Sequence, residues 1–262
     1  MGRIIQYNEI TRNASQARYP HLWQGLVGAW YPSLGIQGRQ LLDVSGHGNN
    51  GTLVADTHYI VDKYGYVLDF DGTADSISIS NNLTSITTGS VKCTAKIDTD
   101  NRGMLWSKYI NGDNLIVLEY NSATDKIEFD FWFEGARRTQ LVGPVVSLGV
   151  WYDVVLTWDT SAICLYVDGV LVASDTAVTY WPSDISANDV FGTFGGGSRD
   201  LDGKMSRMVI YNRALTPSEI QLLYRTDGNA LLQRRPSALF KAPAAGGTIL
   251  PQITSVYMRA SA

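Results

Sequence analysis

From Gly25 to about Tyr211, apolar and polar residues alternate in short runs, the period of strands that bury one face. The clearest runs are LVGAWY, YVLDF, SISIS, SVKCTAKI, GMLWSK, NLIVLEY, KIEFDFWFE, WYDVVLTW, ICLYV, VLVAS and MSRMVIYN. Dipeptides suited to tight hairpins punctuate them: Asp71-Gly72, Asn111-Gly112, Asp168-Gly169 and Asp202-Gly203. About a dozen strands at this spacing make too large a sheet to stay open, so the pattern predicts an all-β fold, an antiparallel sandwich or jelly roll.

The period shifts once. Thr216-Pro217-Ser218-Glu219 predicts a helix start, with a capping hydroxyl, a proline in the first turn and a Glu placed to complete a capping box. Ile220, Leu223 and Tyr224 then recur at helical spacing and are expected to face the sandwich together. Neither end sustains any period. The chain therefore divides into an N-terminal arm (1–24), a sandwich domain (25–226) and a C-terminal arm (227–262) rich in Ala, Pro and Gly, with ITSVYM as a short strand candidate. Ile4, Ile5, Tyr7, Leu231, Leu232, Leu239, Phe240, Ile253 and Tyr257 have no evident place in a complete sandwich. They are expected to order only against another surface, a copy of this chain or a neighbouring protein.

Composition narrows the classes of function. With 45% hydrophobic and 18% charged residues, the 262-residue chain can bury one full core. A formal net charge of −4 argues against a nucleic-acid partner, whose footprint is a basic face. No run approaches the roughly 18 apolar residues of a membrane span, and the N-terminus has no apolar signal core, so synthesis in the cytoplasm and no membrane partner are expected. Cys93 and Cys164 sit in strand-like runs without metal-binding spacing and are expected to be free thiols.

Four stretches together resemble the laminin-G-like jelly rolls of the concanavalin A-like lectin/glucanase superfamily. They are 25-GLVGAWYPSLG with LLDVSGHGNNGTL-53, 67-VLDFDGTADSISIS-80, 151-WYDVVLTWDTSAICLYVDGVLVAS-174 and 202-DGKMSRMVIYNRALTPSEIQLLY-224. The resemblance spans residues 25–226 and implies a concanavalin A-like sandwich; read physically, Phe70 and Trp151 are expected to point into its core. It leaves function open, because the same fold serves lectins, glycosidases and coat components.

Many relatives hold a structural calcium near the sandwich rim, and the Gly-rich turn DVSGHGNNG offers oxygens suited to it. The same residues, Asp43, Ser45, Asn49 and Asn50, can instead bond their own backbone. Where such relatives carry acids after the glycine of the last long strand, this chain has Ser206 and Arg207. The expectation is therefore no cofactor and no metal.

The run KIEFDFWFEG places Glu128, Asp130, Trp132 and Glu134 on one strand face and Phe129, Phe131 and Phe133 on the other. The glucanase branch of the superfamily uses E-x-D-x-E or E-x-D-x-x-E, with the outer acids as catalytic pair. Here the second Glu arrives at i+6, about 20 Å along a strand, against roughly 5–10 Å for either hydrolytic geometry. The acids of this strand are not expected to be catalytic. Two alternatives remain for the face: an ordinary wet surface, or a glycan platform of Trp132 flanked by Glu128, Asp130 and Glu134. His21, His47 and His58 pair with no candidate nucleophile, and 195-GGGS-198 leads into a strand, as a turn rather than a phosphate loop.

The tail 231-LLQRRPSALFKAPAAG-246 resembles extensions that follow laminin-G-like domains in proteins of tailed phages and environmental viruses. That resemblance implies a non-catalytic virion surface protein, a capsid decoration or fibre-associated subunit held by its arms and displaying a lectin-like jelly roll toward glycans. The alternatives are a carbohydrate-binding lectin module outside any virion and a glycoside hydrolase.

Overall fold

The alternating runs pair into two antiparallel sheets. The structure, a computed structural model, describes residues 14–34, 37–79, 87–177, 188–194 and 199–232. After helix α1 (Pro20–Trp23), the first strands in chain order are β1 (Leu26–Trp30), β2 (Gln40–Leu41), β3 (Gly51–Val54), β4 (His58–Asp62), β5 (Gly65–Asp71) and β6 (Ser76–Ile79). The middle of the chain forms β7 (Gly89–Ile97), β8 (Gly103–Asn111), β9 (Asn114–Asn121), β10 (Lys126–Phe133) and β11 (Ala136–Val145). Then come β12 (Trp151–Trp158), β13 (Ile163–Val167), β14 (Val170–Asp175), β15 (Asp189–Phe191), β16 (Asp202–Tyr211) and helix α2 (Pro217–Arg225).

The first sheet runs β14-β13-β12-β7-β16-β5-β4, with β1 also pairing to β16; the second runs β11-β10-β9-β8-β15-β6-β3-β2. Their facing sides form the main core, where Trp30, Phe70, Trp106, Phe129, Phe131, Trp158 and Phe191 pack with aliphatic neighbours. Trp106 and Trp158 stack across it with centroids 5.9 Å apart. This is the concanavalin A-like sandwich that the alternation and the resemblance anticipated.

A second apolar cluster lies on the outside of the first sheet. It joins Leu22 and Leu26 to Tyr31, Val209, Tyr211, Ile220, Leu223 and Leu231. The capping box of α2 forms as its residues predict: the Thr216 hydroxyl accepts from the Glu219 N–H, and Glu219 Oε2 accepts from the Thr216 N–H at 2.8 Å. Glu219 also receives both Arg213 terminal nitrogens, at 2.7 and 2.8 Å, and Arg213 donates to the carbonyls of His21 and Gln24. One guanidinium thus ties the segment before β1 to the closing helix.

Several expectations need correction. Leu231 is only 1% exposed and belongs to the second cluster, and Leu232 packs against it, so these two residues are held by their own chain rather than awaiting a partner. Ile4, Ile5, Tyr7, Leu239, Phe240, Ile253 and Tyr257 lie outside the described residues, as do ITSVYM and 195–198. Tyr224 is exposed while Ile220 and Leu223 are buried, because only one edge of the helix meets the sheet. Trp151 stands on the outside of the first sheet, half-buried and edge-on to Tyr64 with centroids 5.0 Å apart, whereas Phe70 is in the core.

Asp202-Gly203 is not a turn but the start of β16 between β5 and β7. A Cβ on Gly203 would lie 2.1 Å from the Lys96 carbonyl oxygen, so the glycine serves close strand approach. Asp168-Gly169 is the expected hairpin turn, with positive φ at both residues (50° and 76°). Cys93 and Cys164 are free thiols, and burial pushes the Cys93 thiol up to about 12.

Candidate functional site

The outer face of the second sheet, turned away from the core, collects the groups singled out in KIEFDFWFEG. Alternation along β10 sends Ile127, Phe129 and Phe131 inward and Glu128, Asp130 and Trp132 outward. Of the two alternatives for this face, an ordinary wet surface does not describe Glu128 and Asp130, which are only 2% and 5% exposed. The reason is the neighbouring strand. Glu119 on β9 stands opposite Glu128 in the ladder, and acceptor oxygens of Glu119, Glu128 and Asp130 all lie within 4.8 Å of one another.

Basic and amide groups compensate this cluster. Arg102 grips Glu119 through two nitrogens, its Nε at 2.8 Å from Oε2, and Arg199 reaches the same carboxylate at 3.6 Å. Glu128 accepts from Asn121 Nδ2 at 2.9 Å, Thr124 Oγ1 at 2.8 Å and Gln140 Nε2 at 3.4 Å. Asp130 has Arg137 Nε at 3.5 Å from Oδ1, and that buried oxygen makes no hydrogen bond among the described residues. Burial pushes the Asp130 carboxyl above the usual range; Arg137 and Arg102 oppose this, while Glu119 and Glu128 add to it. The Glu119 hydrogen bonds, outweighing burial, hold the Arg102 guanidinium more firmly charged than usual.

Trp132 continues this face beyond the acids. Its cross-strand neighbours are Leu115 and Arg137, and the Arg137 guanidinium lies 5.3 Å from the Trp132 ring centroid. Met104, Leu115 and Val117 form an apolar floor beside it, with Tyr109 and Phe194 packed against them and their rings 4.6 Å apart. The face therefore offers aromatic edges and fixed polar groups side by side.

Glu134 does not join this face. It occupies the turn after β10 with a φ of 51°, is 63% exposed and pairs with Arg138 at 3.5 Å. The third acid of the cluster is Glu119, which single-strand spacing overlooked. The signal was available in the hairpin NLIVLEYNSATDKIEFDF, whose short turn sets Glu119 against Glu128 once the register is drawn.

Three carboxylates within reach of one another could in geometry hold a cation. Three guanidiniums already balance them, and a cation would have to displace Arg102 from Glu119. In the Gly-rich turn, Asp43 accepts from the Ala29, Ser45 and Asn49 N–H groups and the Ser45 hydroxyl at 2.7–3.0 Å, so its oxygens organise the turn itself. Asn49 and Asn50 complete it through Val27 O and Asp43 N–H.

A laminin-G family model, described as the concanavalin A-like lectin/glucanases superfamily, matches residues 71–221. No curated protein matches the sequence. Among solved structures, the chain resembles Trypanosoma rangeli sialidase with a TM-score of 0.62 at 20% identity, covering 79% of this chain and 33% of the sialidase. It also resembles domain 4 of AbnA, an extracellular arabinanase of Geobacillus stearothermophilus in complex with arabinotriose, with a TM-score of 0.61 at 19% identity over 76% of this chain and 98% of that domain. The binding domain of Paraclostridial Mosquitocidal Protein 1 gives 0.63 at 13% identity over 79% and 53% of the two chains. The chain thus spans about a third of the sialidase, and these likenesses concern the fold.

Proposed function

The chain belongs to the concanavalin A-like lectin/glucanases superfamily, and on that premise we propose that it is a non-catalytic carbohydrate-binding protein whose site is the outer face of the second sheet around Trp132. The observation that carries this reading is the placement of Trp132 beside Asp130 and Arg137, with Glu128 and Gln140 completing the polar row. A sugar ring presents an apolar face for stacking and equatorial hydroxyls for hydrogen bonds, and polar groups already held in place lose little freedom on binding. The arabinanase domain, overlaid along nearly its whole length and known in complex with arabinotriose, supports the same class of ligand.

The hydrolase alternative now turns on Glu119 and Glu128 rather than Glu134. These carboxylates are close, but Glu119 is fully buried with both oxygens held by Arg102, and Glu128 is held by three neutral donors. Groups so engaged orient and neutralise; a nucleophile or general acid must reach substrate. The setting we propose is the surface of a viral particle, supported by the likeness of residues 231–246 to extensions in phage proteins; a lectin module without a virion is the second reading.

A glycan array with the full chain and Trp132→Ala tests the site. The full chain is expected to give saturable signals that the variant loses by at least tenfold with its melting transition retained. An equal signal from both, or none from the parent, overturns the proposal. Co-sedimentation with virus particles tests the setting separately.

A further inference from the structure

The outer face of the opposite sheet carries a buried charge that nothing above explains. Strand β16 bulges between Met205 and Met208, which both face the main core, and the two residues between them are Ser206 and Arg207. Arg207 is 6% exposed. Among the described residues no carboxylate pairs with it and no hydrogen bond reaches its guanidinium, whose Nε is a buried donor without an acceptor; the Ser206 hydroxyl is likewise unpartnered.

A buried cation left in this state is destabilising unless a counter-charge is supplied. One acid of this sheet, Asp153, is committed to another cation through one of its two oxygens. Asp153, two strands away across β7, pairs through Oδ2 with the buried Lys92 and accepts there from Thr94 at 3.2 Å, while its buried Oδ1 makes no hydrogen bond among the described residues and no ion pair reaches Arg207. The Arg207 guanidinium carbon is 4.2 Å from the Tyr64 ring centroid, and its methylene stem packs against Gly228. Lys63 places a second cation 4.8 Å from the same ring. Tyr64 is half-buried and Lys63 is exposed, so the cluster reaches the surface at the turn between β4 and β5.

We infer that Arg207, Tyr64 and Lys63 form an anion-binding site, distinct from the face around Trp132, that takes a carboxylate. A guanidinium stacked on an aromatic ring keeps its in-plane N–H edges for an acceptor, and a planar carboxylate matches that edge. Lys63 adds long-range attraction at the entrance. The carboxylate can be free or carried by a sugar acid, since both present the same group.

The probes are sodium acetate and sodium glucuronate, titrated against the full-length protein at constant ionic strength with sodium chloride as reference. A ligand bound by the native state alone raises the melting temperature in a saturable way, and saturation-transfer NMR on the probe reports contact directly. Both signals are expected with the parent, to be lost in Arg207→Gln, and to require several-fold more probe in Lys63→Gln. Because Arg207 is buried, the exposed Lys63 substitution decides the matter if Arg207→Gln fails to fold. A response to both probes assigns the site to carboxylates in general, and a response to glucuronate alone assigns it to sugar acids. No effect beyond chloride, an undiminished effect in Lys63→Gln, or an undiminished effect in a folded Arg207→Gln overturns the inference and leaves solvent as the partner of Arg207.

Discussion

Glu119 and Glu128 face each other across the β9–β10 ladder with carboxylate oxygens within 4.8 Å, on the side of the sheet turned away from the core. Like charges directly opposite on paired strands repel. Their persistence depends on the donors around them, above all Arg102 at Glu119.

Arg102→Gln should therefore leave a buried carboxylate without its counter-charge. The expected loss is about 3–5 kcal/mol in urea unfolding, most of it recovered in the double variant with Glu119→Gln. A single variant as stable as the parent would show that Arg102 is not the compensating group.

Asp130 supplies a pH dependence with a definite sign. Its carboxyl is raised by burial first, and by Glu119 and Glu128 against the pull of Arg137 and Arg102. The folded state thus holds the proton more tightly than the unfolded chain. The resulting contribution is fully present below the ordinary Asp value of about 3.9 and is lost as pH rises through the folded value. Asp130→Asn, neutral throughout, is expected to gain stability over the parent at pH 7 and lose that advantage near pH 4. Unfolding curves at both pH values check this, and a difference independent of pH contradicts it.

Thr216 caps α2 through the Glu219 N–H. Replacing it with Ala should cost about 1 kcal/mol. Glu219→Ala should cost more, since it also frees Arg213. Thermal melts of the two variants and their double mutant measure the coupling.

Leu231→Ala tests where the C-terminal segment is held. With Leu231 1% exposed in the cluster that includes Ile220 and Leu223, truncation is expected to destabilise the isolated chain by about 2–5 kcal/mol. A change below 0.5 kcal/mol would return this residue to the arm that needs a partner.

Local chemistry was legible in the sequence by itself. The period-2 runs determined the all-β sandwich and the inward set Phe129, Phe131 and Phe133, because side-chain direction along a strand depends only on residue parity. Thr216, Pro217 and Glu219 determined the start of α2 for the same reason: a cap is closed within four residues. Strands lacking a clean alternation, such as β11 with its ARRTQ start, stayed hidden.

What the tertiary structure alone decided was adjacency between segments. It took Gly203 out of a supposed turn and into the crowded centre of a sheet, moved Trp151 to the outside, and gave Leu231 a place in its own chain. It replaced Glu134 with Glu119 in the acidic cluster, since strand register brings together residues 9 positions apart that no one-strand spacing rule would join. It also left Arg207 buried with no ion-pair partner among the described residues, because an ion pair depends on which side chains the strand order brings together.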